Sequence, residues 1–154
     1  MSSRYFRTPP LSLAAQASGL RHQYPNGTTV AGRDDIGWRG ELSPDAFGRT
    51  YDIEMHYRRD DKPDVWVRAP DLHAFTAGRR LPHVYDQKEQ RLCLYVPGCG
   101  FWRPDRSFSQ TILPWTCYWL RLFEMWLVTD TWHERGGHPE PRPRRSLPAD
   151  NLRF

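Results

Sequence analysis

Two residues of this sequence, Cys93 and His83, have types and a spacing that could support acyl transfer. A cysteine that forms a thiolate can attack a carbonyl and hold the acyl group as a thioester, provided that its site is accessible. The polar stretch between them leads into a short apolar run, which would put Cys93 at the edge of a loop. A cysteine between Leu92 and Leu94 could equally be a small buried residue of a strand, and taken alone this pattern favours burial.

The other two cysteines are Cys99 and Cys117. Cys99 stands in the loop sequence PGCGFW, whose glycines would leave the thiol accessible, so it is the alternative nucleophile. Cys117 falls in a predicted helix, where we expect it to be unreactive. Because the cysteines are odd in number and lack a Cys-x-x-Cys pair, we expect no disulfide, no metal site and no bound cofactor.

The elements that would position these residues begin with a short helix and several strands. Prolines before an alanine-rich and leucine-rich stretch predict a helix over residues 9–19, ended by Gly19. Residues 51–57 alternate strictly and are the clearest strand. Further short strands are predicted at residues 37–42, 64–70 and 91–95. Because the turns between them are short, we expect an antiparallel four-stranded meander.

From Thr111 onward the apolar residues recur at spacings of three and four, which predicts a long helix with a broad buried face. Thr111 would cap this helix, and Pro114 fits its first turn, where an amide has no intrahelical partner. Arg121 and Glu124 lie within the segment, spaced to pair across one turn, and argue against a membrane span. The fold class is therefore α+β, with the helix covering one face of the sheet.

The composition divides the chain into a folded domain, residues 1–132, and a tail rich in proline and arginine, residues 133–154. The tail has five arginines against three acidic residues, which accounts for two of the four net positive charges. The domain itself is nearly neutral, so we expect no nucleic-acid binding. No apolar stretch resembles a signal peptide or could span a bilayer, so we expect a cytoplasmic protein without membrane association.

The order of these elements and several motifs resemble the ubiquitin-conjugating enzymes. In that family a His-Pro-Asn turn precedes the catalytic cysteine by a fixed interval; here His83 precedes Cys93 by ten residues, and Trp102 and a helix follow. The sequence is similar to bacterial conjugating-enzyme-like proteins of type II CBASS antiphage operons in its LPHVY and LCLY stretches, its ILPW helix start and its TW ending. The resemblance spans roughly residues 38–132.

This resemblance implies that Cys93 is the catalytic cysteine and that His83 shapes the loop rather than moving protons. Tyr85 stands where the family has the asparagine that supports the oxyanion of the tetrahedral intermediate, and the only asparagines of the chain are Asn26 and Asn151. The oxyanion would then need backbone amides, the Tyr85 hydroxyl or an imidazole such as that of His83. The departure also leaves open an inactive fold.

The function that the resemblance implies is cysteine-dependent protein conjugation. The carboxyl terminus of a partner would be accepted as a thioester on Cys93 and passed to an amine of a target protein or small molecule. The implied partner is the cyclic-oligonucleotide synthase, a nucleotidyltransferase, of the same operon. No glycine-rich phosphate loop indicates an ATP site on this chain. The alternative is an inactive binding module that recognises the synthase or a ubiquitin-like protein.

Lysines are scarce, since the chain has only Lys62 and Lys88 against twenty arginines. Few lysines would protect a thioester carrier from modifying itself. A GC-rich coding sequence that replaces lysine by arginine explains the same bias, and we give this explanation more weight. An acceptor amine must also lose a proton, and Asp130, His133 and Glu134, after the long helix, are candidates to assist.

Overall fold

The computed structural model describes residues 8–94 and 101–133. Its helices and strands, in chain order, are α1 (Leu13–Gln23), β1 (Thr28–Ala31), β2 (Asp35–Leu42), β3 (Tyr51–Arg58), β4 (Asp64–Ala69), β5 (Val84–Asp86), β6 (Arg91–Leu92) and α2 (Ile112–Thr129). A short 3₁₀ helix, Leu72–Phe75, lies between β4 and β5. The predicted α+β class is confirmed, with a helix before the sheet and a long helix after it. None of the described helices is long and apolar enough to cross a bilayer.

The six strands form one antiparallel sheet in the order β1-β2-β3-β4-β6-β5. Strands β2, β3, β4 and β6 correspond to the four predicted strands and are neighbours in this order, whereas β1 and β5 were not predicted. Strand β1 is largely exposed, so its sequence TTVA carries no alternation of polar and apolar residues. In the described part of the run predicted at residues 91–95, the strand is Arg91–Leu92, which pairs with β5 as a hairpin and with β4.

Helix α1 begins at a serine cap, since the Ser12 hydroxyl accepts a hydrogen bond from the Ala15 amide at 3.1 Å. The helix continues to Gln23, so the prediction that Gly19 ends it is wrong. A side chain at Gly19 would approach the Ser109 hydroxyl to 3.1 Å, which shows that the glycine allows close packing rather than a turn. Helix packing therefore explains this glycine better than helix termination does.

Helix α2 begins after Thr111, as predicted, but the Thr111 side chain makes no capping bond. Its hydroxyl donates instead to the Ser107 carbonyl at 2.6 Å, in the turn that precedes the helix. Farther along, the Glu124 carboxylate accepts from the Tyr51 hydroxyl at 2.9 Å and from the Arg49 amide at 3.0 Å. Glu124 thus connects α2 to the start of β3. Its spacing from Arg121 along the helix does not indicate this tertiary contact.

One hydrophobic core holds the helices and the sheet together. The five largest of its fully buried side chains are aromatic: Trp38, Tyr51, Phe108, Trp119 and Phe123. Each such ring removes a large apolar area from water, contributing about 1.5–3 kcal/mol on burial. Most of the other core residues are leucine, isoleucine and valine, so the core combines these rings with many aliphatic side chains.

Candidate active site

Cys93 and His83 meet at the open end of the β5–β6 hairpin. Val84 pairs with Leu92, and one step beyond this pair the Cys93 amide donates to the His83 carbonyl at 2.9 Å. Because pairing register decides which residues of a hairpin lie opposite each other, the ten-residue interval in the sequence corresponds to this register. The structure therefore brings together two of the three predicted site residues through their backbones.

The His83 carbonyl accepts a second hydrogen bond, from the indole Nε1 of Trp119 in α2, also at 2.9 Å. A carbonyl oxygen has two lone pairs, so both bonds can form at once. His83 adopts a left-handed backbone with φ of 49°, which is uncommon for a residue other than glycine. Helix α2 thus fixes the His83 backbone, to which the Cys93 amide is hydrogen-bonded. The sequence alone did not indicate this role of Trp119.

The His83 imidazole is largely buried against Trp132, with ring centres 5.0 Å apart, and Trp132 in turn contacts Trp119 at 5.4 Å. Burial lowers the pKa of His83 below its ordinary value of 6.5. The ring is consequently neutral at physiological pH and is placed to support the loop by packing. The TW motif of the sequence therefore has a structural counterpart in the contact between Trp132 and His83.

The lowered pKa of His83 predicts a pH-dependent stability. The unfolded chain binds a proton at this residue more readily than the folded chain, so the free energy of unfolding should fall as the pH drops below about 6.5. One such proton contributes at most about 1.4 kcal/mol per pH unit. Urea titrations from pH 7.5 to pH 5 should show this slope, and His83→Asn, which tolerates the left-handed backbone, should reduce it. An identical slope in the variant would contradict a buried, neutral imidazole.

Cys93 is buried. The residue is 9% exposed, and both of its neighbours, Leu92 and Leu94, are buried residues of the core cluster. Cys99, the alternative nucleophile, lies outside the described residues.

Tyr85 occupies the irregular position of the hairpin, between the pairs formed by Val84 and Asp86. Its ring lines a shallow hollow together with Pro63, Val65, Leu92, Leu94 and Ile112, and so lies beside both neighbours of Cys93. The Lys62 ammonium is 4.1 Å from the ring centre and the Arg91 guanidinium 5.4 Å. Tyr85 and two cations therefore lie together beside the neighbours of Cys93.

Trp102 anchors the segment at residues 101–108. Its indole Nε1 donates to the Arg106 carbonyl at 3.1 Å, and its ring stacks on Phe108 at 5.2 Å. Gln16 of α1 holds the same segment, since its amide donates to the Arg106 carbonyl and accepts from the Phe108 amide, each at 2.9 Å. The segment at residues 101–108 is therefore bound to the first helix and, through ring contacts with Tyr57, to the sheet.

The remaining candidates lie elsewhere. Cys117 is half-buried in α2, and burial raises the pKa of its thiol, which disfavours the reactive thiolate. Asp130 ends α2 in a left-handed conformation and pairs with Arg79 at 2.7 Å. The Arg79 guanidinium also packs on the Trp126 ring at 4.2 Å, so these contacts close the helix end. His133 is exposed, and Glu134 lies outside the described residues.

Within residues 8–94 and 101–133, no group of three or more His, Cys, Asp or Glu side chains is arranged to hold a metal ion. The chemistry that the described site can supply is that of a thiol, a buried imidazole, a phenol and two nearby cations.

Comparison with known proteins assigns the family. The family model for type II CBASS E2 proteins matches residues 16–139, which is most of the chain and includes the whole sheet, the hairpin with His83 and Cys93, and α2. A search of curated proteins gave no match. On the strength of this match, the chain belongs to the family of type II CBASS E2 proteins.

Proposed function

We propose that this protein carries an acyl group on Cys93, accepting the carboxyl terminus of the CBASS cyclic-oligonucleotide synthase as a thioester and transferring it to an amine. Membership of the family gives it an E2-like role in CBASS antiphage defence. The observation that carries the proposal is the His83 carbonyl, which binds the Cys93 amide and Trp119 of α2 together. These two hydrogen bonds connect the segment that carries Cys93, through His83, to helix α2, and they support the proposal.

The first step forms one bond and breaks one. The Cys93 thiolate attacks the carbonyl of an activated carboxyl terminus, the activating group leaves, and a thioester remains. The donor must arrive as an acyl adenylate or a thioester made by another enzyme of the cell, because a free carboxylate is a poor electrophile. In the second step an amine attacks the thioester, and Cys93 leaves as the thiolate while an amide forms.

Both steps pass through a tetrahedral intermediate with a negatively charged oxygen. Tyr85 is the residue that we assign to its support, since its hydroxyl can donate a hydrogen bond and its ring lies beside Leu92 and Leu94. The cations of Lys62 and Arg91 on this ring add positive potential at the same place. We assign His83 a supporting role, holding the loop with a neutral ring.

The exposure of Cys93 restricts the donor. A residue that is only 9% exposed is better reached by a narrow, extended carboxyl terminus than by a folded surface. The donor region that matters is therefore its last few residues.

The proposal is tested by co-expressing this chain with the nucleotidyltransferase of its operon and measuring intact masses with and without a thiol reductant. We expect a reductant-sensitive species whose mass is the sum of the two chains minus one water, and later a resistant species in which the bond is an amide. A disulfide would instead lose two hydrogens and would not need an intact donor carboxyl terminus. Truncating that terminus should therefore remove both species.

An inactive binding module is the second candidate, and the replacement of the family's asparagine by Tyr85 favours it. Such a module would bind the synthase without forming either covalent species. Tight association without any adduct, in the native protein and in a Cys93→Ser variant that would trap an oxyester, would overturn the enzymatic proposal.

A further inference from the structure

We propose that Gln87 is a positioning residue for acyl transfer, because its side-chain amide closes the turn that carries His83 and so holds the backbone that binds Cys93. The inference rests on the proposed function of Cys93 and adds to it a residue that touches no reacting group. It starts from the two hydrogen bonds between Gln87 and Leu81.

The side-chain amide of Gln87 pairs with the backbone of Leu81. Its Oε1 accepts a hydrogen bond from the Leu81 amide at 3.0 Å, and its Nε2 donates to the Leu81 carbonyl at 2.8 Å. Both distances are typical of N–H···O hydrogen bonds. Because the donor and the acceptor of one planar group are bound at once, the pair fixes the orientation of the Leu81 backbone as well as its position. The two bonds therefore close the chain from Leu81 to Gln87 into a turn.

His83 lies inside this closed turn, two residues after Leu81. Its left-handed backbone, with φ of 49°, is uncommon for a residue with a side chain and persists only where the surrounding structure holds it. Helix α2 holds the carbonyl side of His83, since the Trp119 indole donates to that oxygen at 2.9 Å. Gln87 holds the chain on the amide side by binding Leu81. The conformation of His83 is thus supported from both directions along the chain.

The His83 carbonyl transmits this support to the cysteine. The same oxygen accepts a hydrogen bond from the Cys93 amide at 2.9 Å. The direction of a carbonyl depends on the backbone angles of its residue, so release of Leu81 would let His83 relax and turn this oxygen away from its donors. Cys93 would then lose a bond that places it. A displacement of about 1 Å at a reacting group is enough to slow a reaction about a hundredfold.

Gln90 provides a matched control in the same hairpin. It is half-buried like Gln87, and its amide also makes one accepted and one donated bond. Its Oε1 accepts from the Leu72 amide at 2.8 Å, and its Nε2 donates to the Asp71 carboxylate at 3.1 Å. These partners belong to the 3₁₀ helix and its cap. Substituting Gln90 therefore removes the same kind of contact without releasing Leu81.

The experiment compares Gln87→Met with Gln90→Met in the full chain, since both substitutions keep the side-chain length and remove the amide. The assigned indole N–H resonance of Trp119 reports on the His83 carbonyl, because a hydrogen-bonded proton is protected from exchange with solvent deuterium. Charging of Cys93 is measured with a fluorescent peptide that ends in glycine and carries a mercaptoethanesulfonate thioester. The Cys93 thiolate attacks the peptide carbonyl, mercaptoethanesulfonate leaves as a thiolate, and the new thioester is followed on gels without reductant.

We expect the Trp119 indole proton of Gln87→Met to exchange faster than that of the native protein. The maximal rate of charging should fall about tenfold to a hundredfold, whereas the half-saturating peptide concentration should stay the same because Gln87 does not contact the peptide. Gln90→Met should keep native values of all three. Gln87→Glu retains the acceptor for the Leu81 amide but loses the donor, so it should change exchange and charging in the same direction by less. This second variant keeps the test decisive if Gln87→Met does not fold.

Native exchange and native charging in the Gln87 variants would overturn this inference. Faster exchange with native charging would also overturn it and leave the carrier function standing, because Gln87 would then support the turn without affecting the reaction. Equal losses in Gln90→Met would overturn it as well, since the effect would not depend on the turn of His83. Absence of charging in the native protein would remove the carrier function and this inference together.

Discussion

Replacing Cys93 by alanine is expected to abolish every reductant-sensitive adduct with the synthase while the protein stays folded. The substitution removes the sulfur that we propose forms the thioester, so the loss should be complete. Cys93 is buried, but alanine removes only its sulfur and keeps the amide that donates to His83, so the free energy of unfolding should change by about 1 kcal/mol. Intact mass and thermal unfolding of the same preparation measure the two expectations.

The other cysteines serve as matched controls for this result. Cys99→Ala and Cys117→Ala should both form the adduct normally, and Cys93→Ser should convert it into an oxyester that resists thiol reductants. Persistence of the adduct in Cys93→Ala together with its loss in Cys99→Ala would assign the nucleophile to Cys99.

The sequence could indicate the relation between His83 and Cys93 because local pairing determines it. A hairpin converts an interval along the chain into a contact, so a spacing of ten residues becomes a hydrogen bond between two backbones. The strict alternation of β3 and the helical period of α2 were recognisable for the same reason, since each is a repeating local pattern. These local patterns were sufficient to predict the fold class and the position of Cys93 relative to His83.

Features that depend on tertiary contacts were not recoverable in this way. Nothing local indicates that Trp119 reaches back thirty-six residues to the His83 carbonyl, or that Trp132 covers the imidazole. Gly19 looks like a helix stop until the close approach of Ser109 is known. The local sequence around each of these residues is ordinary for a helix or a loop. The role of each residue follows only from the element that packs against it.

The position of Tyr85 combines both kinds of information. The sequence shows that the family's asparagine is absent, whereas only the structure shows the cations of Lys62 and Arg91 on the tyrosine ring. A tyrosine in this place has a hydroxyl that can donate a hydrogen bond and a ring that two cations contact. We therefore treat the replacement as a different way to support the oxyanion, which can be tested by removing one atom.

Replacing Tyr85 by phenylalanine should slow acyl transfer about a hundredfold to a thousandfold, the loss typical of one oxyanion donor. Phenylalanine keeps the ring that lines the hollow and that contacts Lys62 and Arg91, so the thermal midpoint should barely change. Single-turnover formation and discharge of the Cys93 thioester, followed on gels without reductant, measure the rate. Tyr24→Phe, which removes a hydroxyl beside Trp38 in another part of the molecule, is the matched control.

A further substitution, Tyr85→Asn, separates loss of a donor from loss of the ring. It introduces the residue that the conjugating family uses at this position but removes the aromatic contacts. If this position supports the oxyanion, Tyr85→Asn should transfer faster than Tyr85→Phe despite its poorer packing. Equal rates for the native protein and Tyr85→Phe would instead assign the support to backbone amides or to His83, and Tyr85 would then serve only to hold the hollow beside Cys93.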